Sequence, residues 1–189
     1  MKVKGWIGII AATCLLLIVG CKKESGPDLS GTITLSSQLN GTESYYLYGF
    51  SFEKGEMYRY PHQDDPLPDI INEGYLVIEG NEQISLPGFN TPGQVNGFAL
   101  VGEFATWDEA YEFYKNYDKV EDGLLYETAS DFVELYQVWV QQTAAGNYVR
   151  MVVKDIQLSE SETGDPYNEV ILQYTYAPDG STEFSCGCN

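Results

Sequence analysis

From residue 30 onward, apolar and polar positions alternate with period two, interrupted at short intervals by Gly, Pro, Asn and Asp. Thr32-Ile33-Thr34-Leu35 alternates in this way. Tyr45 to Phe52 does so with aromatic residues: Tyr46, Tyr48, Phe50 and Phe52 share one face, and Tyr45, Leu47, Gly49 and Ser51 the other. Successive side chains on a pleated strand point to opposite faces, and aromatic and β-branched residues pack best there, so these runs predict strands. Glu53-Lys54-Gly55-Glu56 turns the aromatic strand back into Met57-Tyr58-Arg59-Tyr60, a hairpin. Pro61, Pro66 and Pro68 keep residues 61–69 a loop. Tyr75-Leu76-Val77-Ile78 and Gln83-Ile84-Ser85-Leu86, joined by a turn at Gly80-Asn81, and Phe98 to Val101 read as further strands, with a Gly/Pro-rich loop from Pro87 to Gly97.

The last third alternates most clearly. Tyr136, Val138 and Val140 interleave with Gln137, Trp139 and Gln141, Ala144 to Asn147 turns the chain, and Tyr148 to Asp155 returns antiparallel. An acidic loop from Ser159 to Pro166 leads to a strand over Glu169 to Tyr176. Ala177-Pro178-Asp179-Gly180 then makes a turn, and Thr182-Glu183-Phe184 resumes the sheet. One segment has helical period: Thr106 with Glu109 forms a capping box, and Ala110, Tyr111, Tyr114 and Tyr117 follow at helix spacing to pack on the sheet. The prediction is an all-β, mostly antiparallel sandwich or barrel-like domain over 30–185, with one short helix near 107–117 and no internal repeat.

Ahead of this domain the pattern changes. Lys2 and Lys4 precede an almost unbroken apolar run from Trp6 to Val19. A membrane span needs ~20 apolar residues, whereas about 17 residues separate Lys4 from Lys22, which suits a signal h-region better. Leu15-Leu16-Leu17-Ile18-Val19-Gly20-Cys21 resembles a bacterial lipobox, with small Gly20 before the cysteine that would be acylated. The expected organisation is a signal peptide over 1–20, lipid on Cys21, a tether over 21–29 containing Gly26-Pro27, the β domain, and a frayed tail over 186–189. Cys14 would leave with the signal. Lys22-Lys23-Glu24 resembles the charged export tags of Bacteroidota surface lipoproteins, so the expected location is the outer membrane, on its periplasmic or cell-surface face.

Charge narrows the partners. The chain carries 10 Lys and Arg against 28 Asp and Glu, and loss of Lys2 and Lys4 takes the net charge from −18 to near −20. Such a surface opposes nucleic acid and anionic lipid headgroups and favours cationic or neutral partners.

Four features together resemble the HmuY-like family of Bacteroidota surface lipoproteins. They are the lipobox, the run Tyr48-Gly49-Phe50-Ser51-Phe52-Glu53-Lys54-Gly55, the hairpin from Val138 to Arg150, and the closing Tyr174-Thr175-Tyr176-Ala177-Pro178-Asp179-Gly180-Ser181 with Phe184. Where the family shows Trp-Asp-Ile after its first hairpin, this chain has Pro68-Asp69-Ile70. The resemblance implies an antiparallel β fold and makes haem a candidate ligand. Haem-binding members use a pair of His or a pair of Met on loops in the second half of the domain. Here His62 is the only His, and Met151 is the only Met after residue 57, in an apolar run that reads as core. Neither pair carries over, leaving Tyr or His62 as the routes to iron.

Other chemistry is sparse. Gly-x-Ser-x-Gly, P-loop and His-Glu-x-x-His motifs are missing from the chain, and a single imidazole leaves one possible base for a nucleophile. Cys186-Gly187-Cys188 is too closely spaced for an unstrained disulfide and has no further thiolate or imidazole nearby to complete a zinc site. Asp64-Asp65 and Glu160 to Asp165 match no EF-hand loop. The 15 tyrosines offer flat apolar faces with a hydroxyl, useful to a binder. Tyr45, Tyr58, Tyr60, His62 and Trp139 are the candidate surface contacts. The expected function is a non-enzymatic, membrane-anchored domain binding a small molecule, a glycan or an envelope protein. The competing classes are an adhesion or scaffold lipoprotein without a small ligand and a glycan hydrolase using a carboxylate pair.

Overall fold

The computed structural model describes residues 29–42, 44–93 and 97–184. Cys14, Cys21, Cys186 and Cys188, and with them the expected signal, lipid site and tail, lie outside the described residues. Nine strands and one short α-helix follow in the order β1 (Ser30–Ser36), β2 (Leu47–Ser51), β3 (Glu56–Tyr60), β4 (Ile71–Glu79), β5 (Glu82–Asn90), β6 (Phe98–Gly102), α1 (Trp107–Asn116), β7 (Val138–Gln142), β8 (Tyr148–Glu160) and β9 (Pro166–Ala177).

A five-stranded antiparallel sheet in the order β1-β9-β8-β7-β6 forms the body, and the hairpins β2–β3 and β4–β5 are separate two-stranded ribbons. The sheet stays open, with β1 and β6 as its edges, so the sandwich form of the prediction holds and barrel closure does not occur. The hairpins lie over one face. There Leu35, Phe50, Phe52, Phe89, Phe98, Trp139, Val149, Met151, Val153, Val170, Leu172, Tyr174 and Tyr176 make the main core. Met151 is fully buried in it, as its apolar run predicts. Helix α1 covers the other face, with Ala110 and Tyr114 against Val138 and Val152.

Coverage of both faces explains why residues 137–141 are all buried although their pattern reads as half-exposed. Along β8 the odd residues Val149, Met151 and Val153 enter the main core; a bulge between Val153 and Asp155 then flips the parity, so that Ile156 packs on the same side.

Local boundaries follow side-chain chemistry. Thr106 Oγ1 accepts from the Glu109 N–H at 3.4 Å, while the Glu109 carboxylate takes the Thr106 hydroxyl at 3.0 Å, so the predicted capping box closes through the hydroxyl. Tyr136 does not join β7: its φ is 67° and its N–H turns to the Val153 carbonyl at 3.0 Å, so the strand starts at Val138. Thr182 to Phe184 is likewise no strand. Glu183 makes an isolated bridge to Lys119 and Phe184 is buried under the sheet beside Tyr117 and Val120.

Two polar groups of residues hold the layers together. Asn72, Asn168, Ser37 and Ser85, all buried, link β4 and β5 to the sheet. Asn72 Nδ2 donates to Asn168 Oδ1 at 2.7 Å and to the Leu35 carbonyl at 3.0 Å, and Asn168 Nδ2 donates to Ser85 Oγ at 2.9 Å. On the opposite face Arg150, 4% exposed, points its guanidinium at the C-terminal end of α1. It donates to the Tyr117 carbonyl at 2.6 Å and lies 4.7 Å above the Tyr114 ring and 5.3 Å from that of Phe184. The negative end of the helix dipole and two ring faces thus take the place of a carboxylate.

Candidate binding groove

Beyond the end of the main core, where β6 and β7 meet the loop 125–134, a concave groove of about 790 Å³ opens. Its size falls in the range that ligand pockets occupy. Phe98 and Trp139 form its floor from the sheet, Leu100 continues that floor along β6, and Leu125 stands at the rim. Tyr75 of β4 and Phe132 build one wall, their ring centroids 5.6 Å apart at 74°.

The loop is pinned from two sides. Phe98 and Glu127 exchange both backbone hydrogen bonds, the Ser130 N–H donates to the Phe89 carbonyl at 2.9 Å, and Val133 N–H to the Pro87 carbonyl at 2.9 Å. Ser130 Oγ in turn accepts from the Phe89 N–H at 2.8 Å. Backbone bonds to β5 and β6 therefore preform the groove.

Gly88 sets the position of Tyr75. On β5 it lies diagonally across the hairpin, and a methyl group at its α-carbon would overlap the Tyr75 ring. The Tyr75 hydroxyl donates to the Ser130 carbonyl at 3.3 Å. Burial, with Glu73 and Asp131 nearby, holds that phenol above its usual pKa, so it remains a neutral donor.

Polar groups converge beside this apolar floor. Trp139 Nε1 donates to Gln137 Oε1 at 3.2 Å, the same oxygen accepts from the Glu134 N–H at 2.9 Å, and Gln137 Nε2 donates to Glu103 Oε1 at 3.0 Å. Glu103, Glu127, Asp131 and Glu134 all line the groove, and no Lys, Arg or His does. Its apolar side chains reach solvent: Leu125 is 88% exposed, Phe132 49% and Leu100 40%.

Of the five residues the sequence points to, four lie on or next to the β2–β3 hairpin and line no part of this groove. Tyr45 is exposed ahead of β2. Tyr58, half-buried on β3, donates its hydroxyl to Glu56 Oε2 at 3.0 Å, and Tyr60 ends that strand. His62 sits in the following loop, where its Nδ1 accepts from the Asp64 N–H at 3.3 Å and lies 3.6 Å from Asp65 Oδ1. Asp65 is committed to Arg59 through a bidentate pair at 2.9 and 3.0 Å, and these hydrogen bonds hold its carboxyl at a pKa of about 2. The fifth, Trp139, is not the surface contact its alternation predicts. It is 5% exposed, with its indole edge-on to Phe89 at 5.9 Å, and it meets the groove only as floor.

Tyr75, Leu100, Leu125, Phe132 and the four carboxylates carry no signal in the sequence. They come from three separate segments, and the bridges that gather the lining, Phe98–Glu127 and Asn90–Ala129, are single pairs without periodicity. Among the described residues no group of three or more His, Cys, Asp or Glu side chains is placed to hold a metal ion, and no helix is long and apolar enough to cross a membrane. Comparison with known proteins gives no matching family model, no matching curated protein and no matching solved structure.

Proposed function

We propose that this chain is a lipid-held, extracytoplasmic domain that binds a ligand or partner without chemical turnover, through the groove between Tyr75, Leu100, Leu125 and Phe132. The observation that carries this reading is the convergence of three solvent-exposed apolar side chains, Leu100, Leu125 and Phe132, in a preformed concavity. Exposed apolar residues scattered singly need no explanation, but gathered in a groove with an ordered wall they mark a binding surface. The anchor rests on the Gly20-Cys21 lipobox, and the HmuY-like resemblance supports an envelope location. A role in haem capture would fall to His62, which lies away from the groove, or to a tyrosine.

Trp139 supplies the test. In a Trp6→Phe, Trp107→Phe background it is the single tryptophan, and a ligand seated on the groove floor must change its emission. Haemin, neutral oligosaccharides and short peptides of either charge form the panel. One class should shift the emission saturably and be recovered unchanged, with binding weakened in Leu125→Ala and Phe132→Ala. Silence across the panel, or turnover of the bound compound, overturns the reading. Palmitate labelling lost on Cys21→Ser checks the anchor.

A further inference from the structure

We infer that the occupant of this groove is a cationic, partly apolar peptide segment of a partner protein, in which Lys or Arg side chains alternate with aliphatic ones. This rests on the groove being the binding surface. Charge complementarity selects the sign. Four carboxylates, Glu103, Glu127, Asp131 and Glu134, surround the groove with no basic residue among its lining, and the chain as a whole carries −18. An anionic guest would meet all four and gain no compensating cation, whereas a guanidinium or ammonium finds acceptors on several sides.

The apolar part of the lining selects the rest. A sugar needs an open aromatic face with free hydroxyl-binding partners beside it, yet Trp139 is 5% exposed, the Tyr75 hydroxyl is already committed to Ser130, and the exposed Phe132 ring is flanked by Leu100 and Leu125 in the lining. What the groove offers to solvent is aliphatic Leu100 and Leu125 with the Phe132 ring, suited to aliphatic side chains. Leu100 lies on β6 and Leu125 and Phe132 within the loop 125–134; of the carboxylates, Glu103 follows β6 and the other three lie in the loop. That interleaving of apolar and acidic groups along an open groove matches a chain carrying alternating apolar and basic side chains better than a compact cation, whose charge would use the acids and leave the leucines in water.

The test uses the full-length protein in the single-tryptophan background and fluorescein-labelled Arg-Leu-Arg-Leu-Arg as the probe. Arg-Ser-Arg-Ser-Arg, Glu-Leu-Glu-Leu-Glu and spermine serve as comparisons. Anisotropy should show the first peptide binding at least about tenfold more tightly than each of the other three, with a matching Trp139 emission change. Raising NaCl from about 0.05 to about 0.5 M should weaken it severalfold as the charges are screened. The double variant Asp131→Asn, Glu134→Gln and the single Leu125→Ser should each weaken it about tenfold while leaving far-ultraviolet circular dichroism unchanged.

Equal affinity for spermine or for the serine peptide overturns the inference, because the leucines would then do nothing. Wild-type affinity in both groove variants overturns it too, since attraction would then belong to the general acidity. If a neutral oligosaccharide shifts Trp139 and the arginine–leucine peptide does not, the groove stands as a site and the cationic occupant falls. If no probe shifts Trp139, both fall.

Discussion

Asn168→Ala should destabilise the domain by about 3–4 kcal/mol. The side chain is fully buried and makes three hydrogen bonds: it accepts from Asn72 Nδ2 at 2.7 Å and donates to Ser85 Oγ at 2.9 Å and to the Ser85 carbonyl at 3.2 Å. Each contributes about 1 kcal/mol net. Asn72 Nδ2 keeps the Leu35 carbonyl and Ser85 Oγ keeps Ser37 Oγ, so neither is orphaned and the larger penalty for an unpaired buried group does not apply in full. The small cavity left behind adds about 1 kcal/mol. Urea unfolding followed by tryptophan emission should show the midpoint falling with the slope unchanged, and the melting temperature should drop by about 10 °C for a domain of this size. Ser37→Ala shares this network through the Asn168 N–H, which its hydroxyl accepts at 2.8 Å, so the double variant should lose less than the two singles together. A loss below about 1 kcal/mol, or strict additivity, would refute the claim that this network pins the β4–β5 hairpin to the sheet.

Other substitutions probe the opposite face, the hairpin loop and the groove wall. Arg150→Met should cost about 2 kcal/mol by urea unfolding, and Arg150→Lys about half of it, because lysine keeps the charge but not the plane that stacks on Tyr114 and Phe184. Carboxyl-carbon NMR should find Asp65 titrating at about 2. With a folded pKa below the unfolded value, the Arg59 pairing is complete above the ordinary carboxylate range and is lost as pH falls through about 2; an ordinary midpoint near 3.9 would refute it. Gly88→Ala should cost about 1–3 kcal/mol by overpacking against Tyr75, and thermal melts of the Gly88→Ala, Tyr75→Ala double variant should recover part of that loss.

Period two, with the short apolar runs at Tyr75–Ile78 and Phe98–Val101, located the strands of the sheet and both hairpins, but β5 runs on through Pro87 to Asn90, where Pro and Gly read as loop. The capping residues Thr106 and Glu109 placed α1 within a residue. What alternation cannot say is whether the second face of a strand meets water. Gln137, Trp139 and Gln141 look like an outer face until α1 and the two hairpins, distant in sequence, cover both sides. The same long-range docking hid the groove: Tyr75 meets Phe132 only because Gly88 admits the ring and the loop is stitched to β5 and β6. Asn72 and Asn168 fall just ahead of the runs that read as strands, and nothing local distinguishes a buried asparagine with a partner from an exposed one without.

The pairing of β1 with β9 constrains the order in which the molecule can be assembled. Ser30 finds its partner only at Thr175, and β9 is also the neighbour of β8. During synthesis β1 therefore waits without its ladder until almost the whole domain has been made. Closing so long a loop is slow relative to local hairpins. Under the extracytoplasmic role we propose, late closure would be an advantage, because the sheet would not lock before its last strand had crossed the membrane. The hairpins β2–β3 and β4–β5, whose contacts are local, would form first and await the sheet on which they dock.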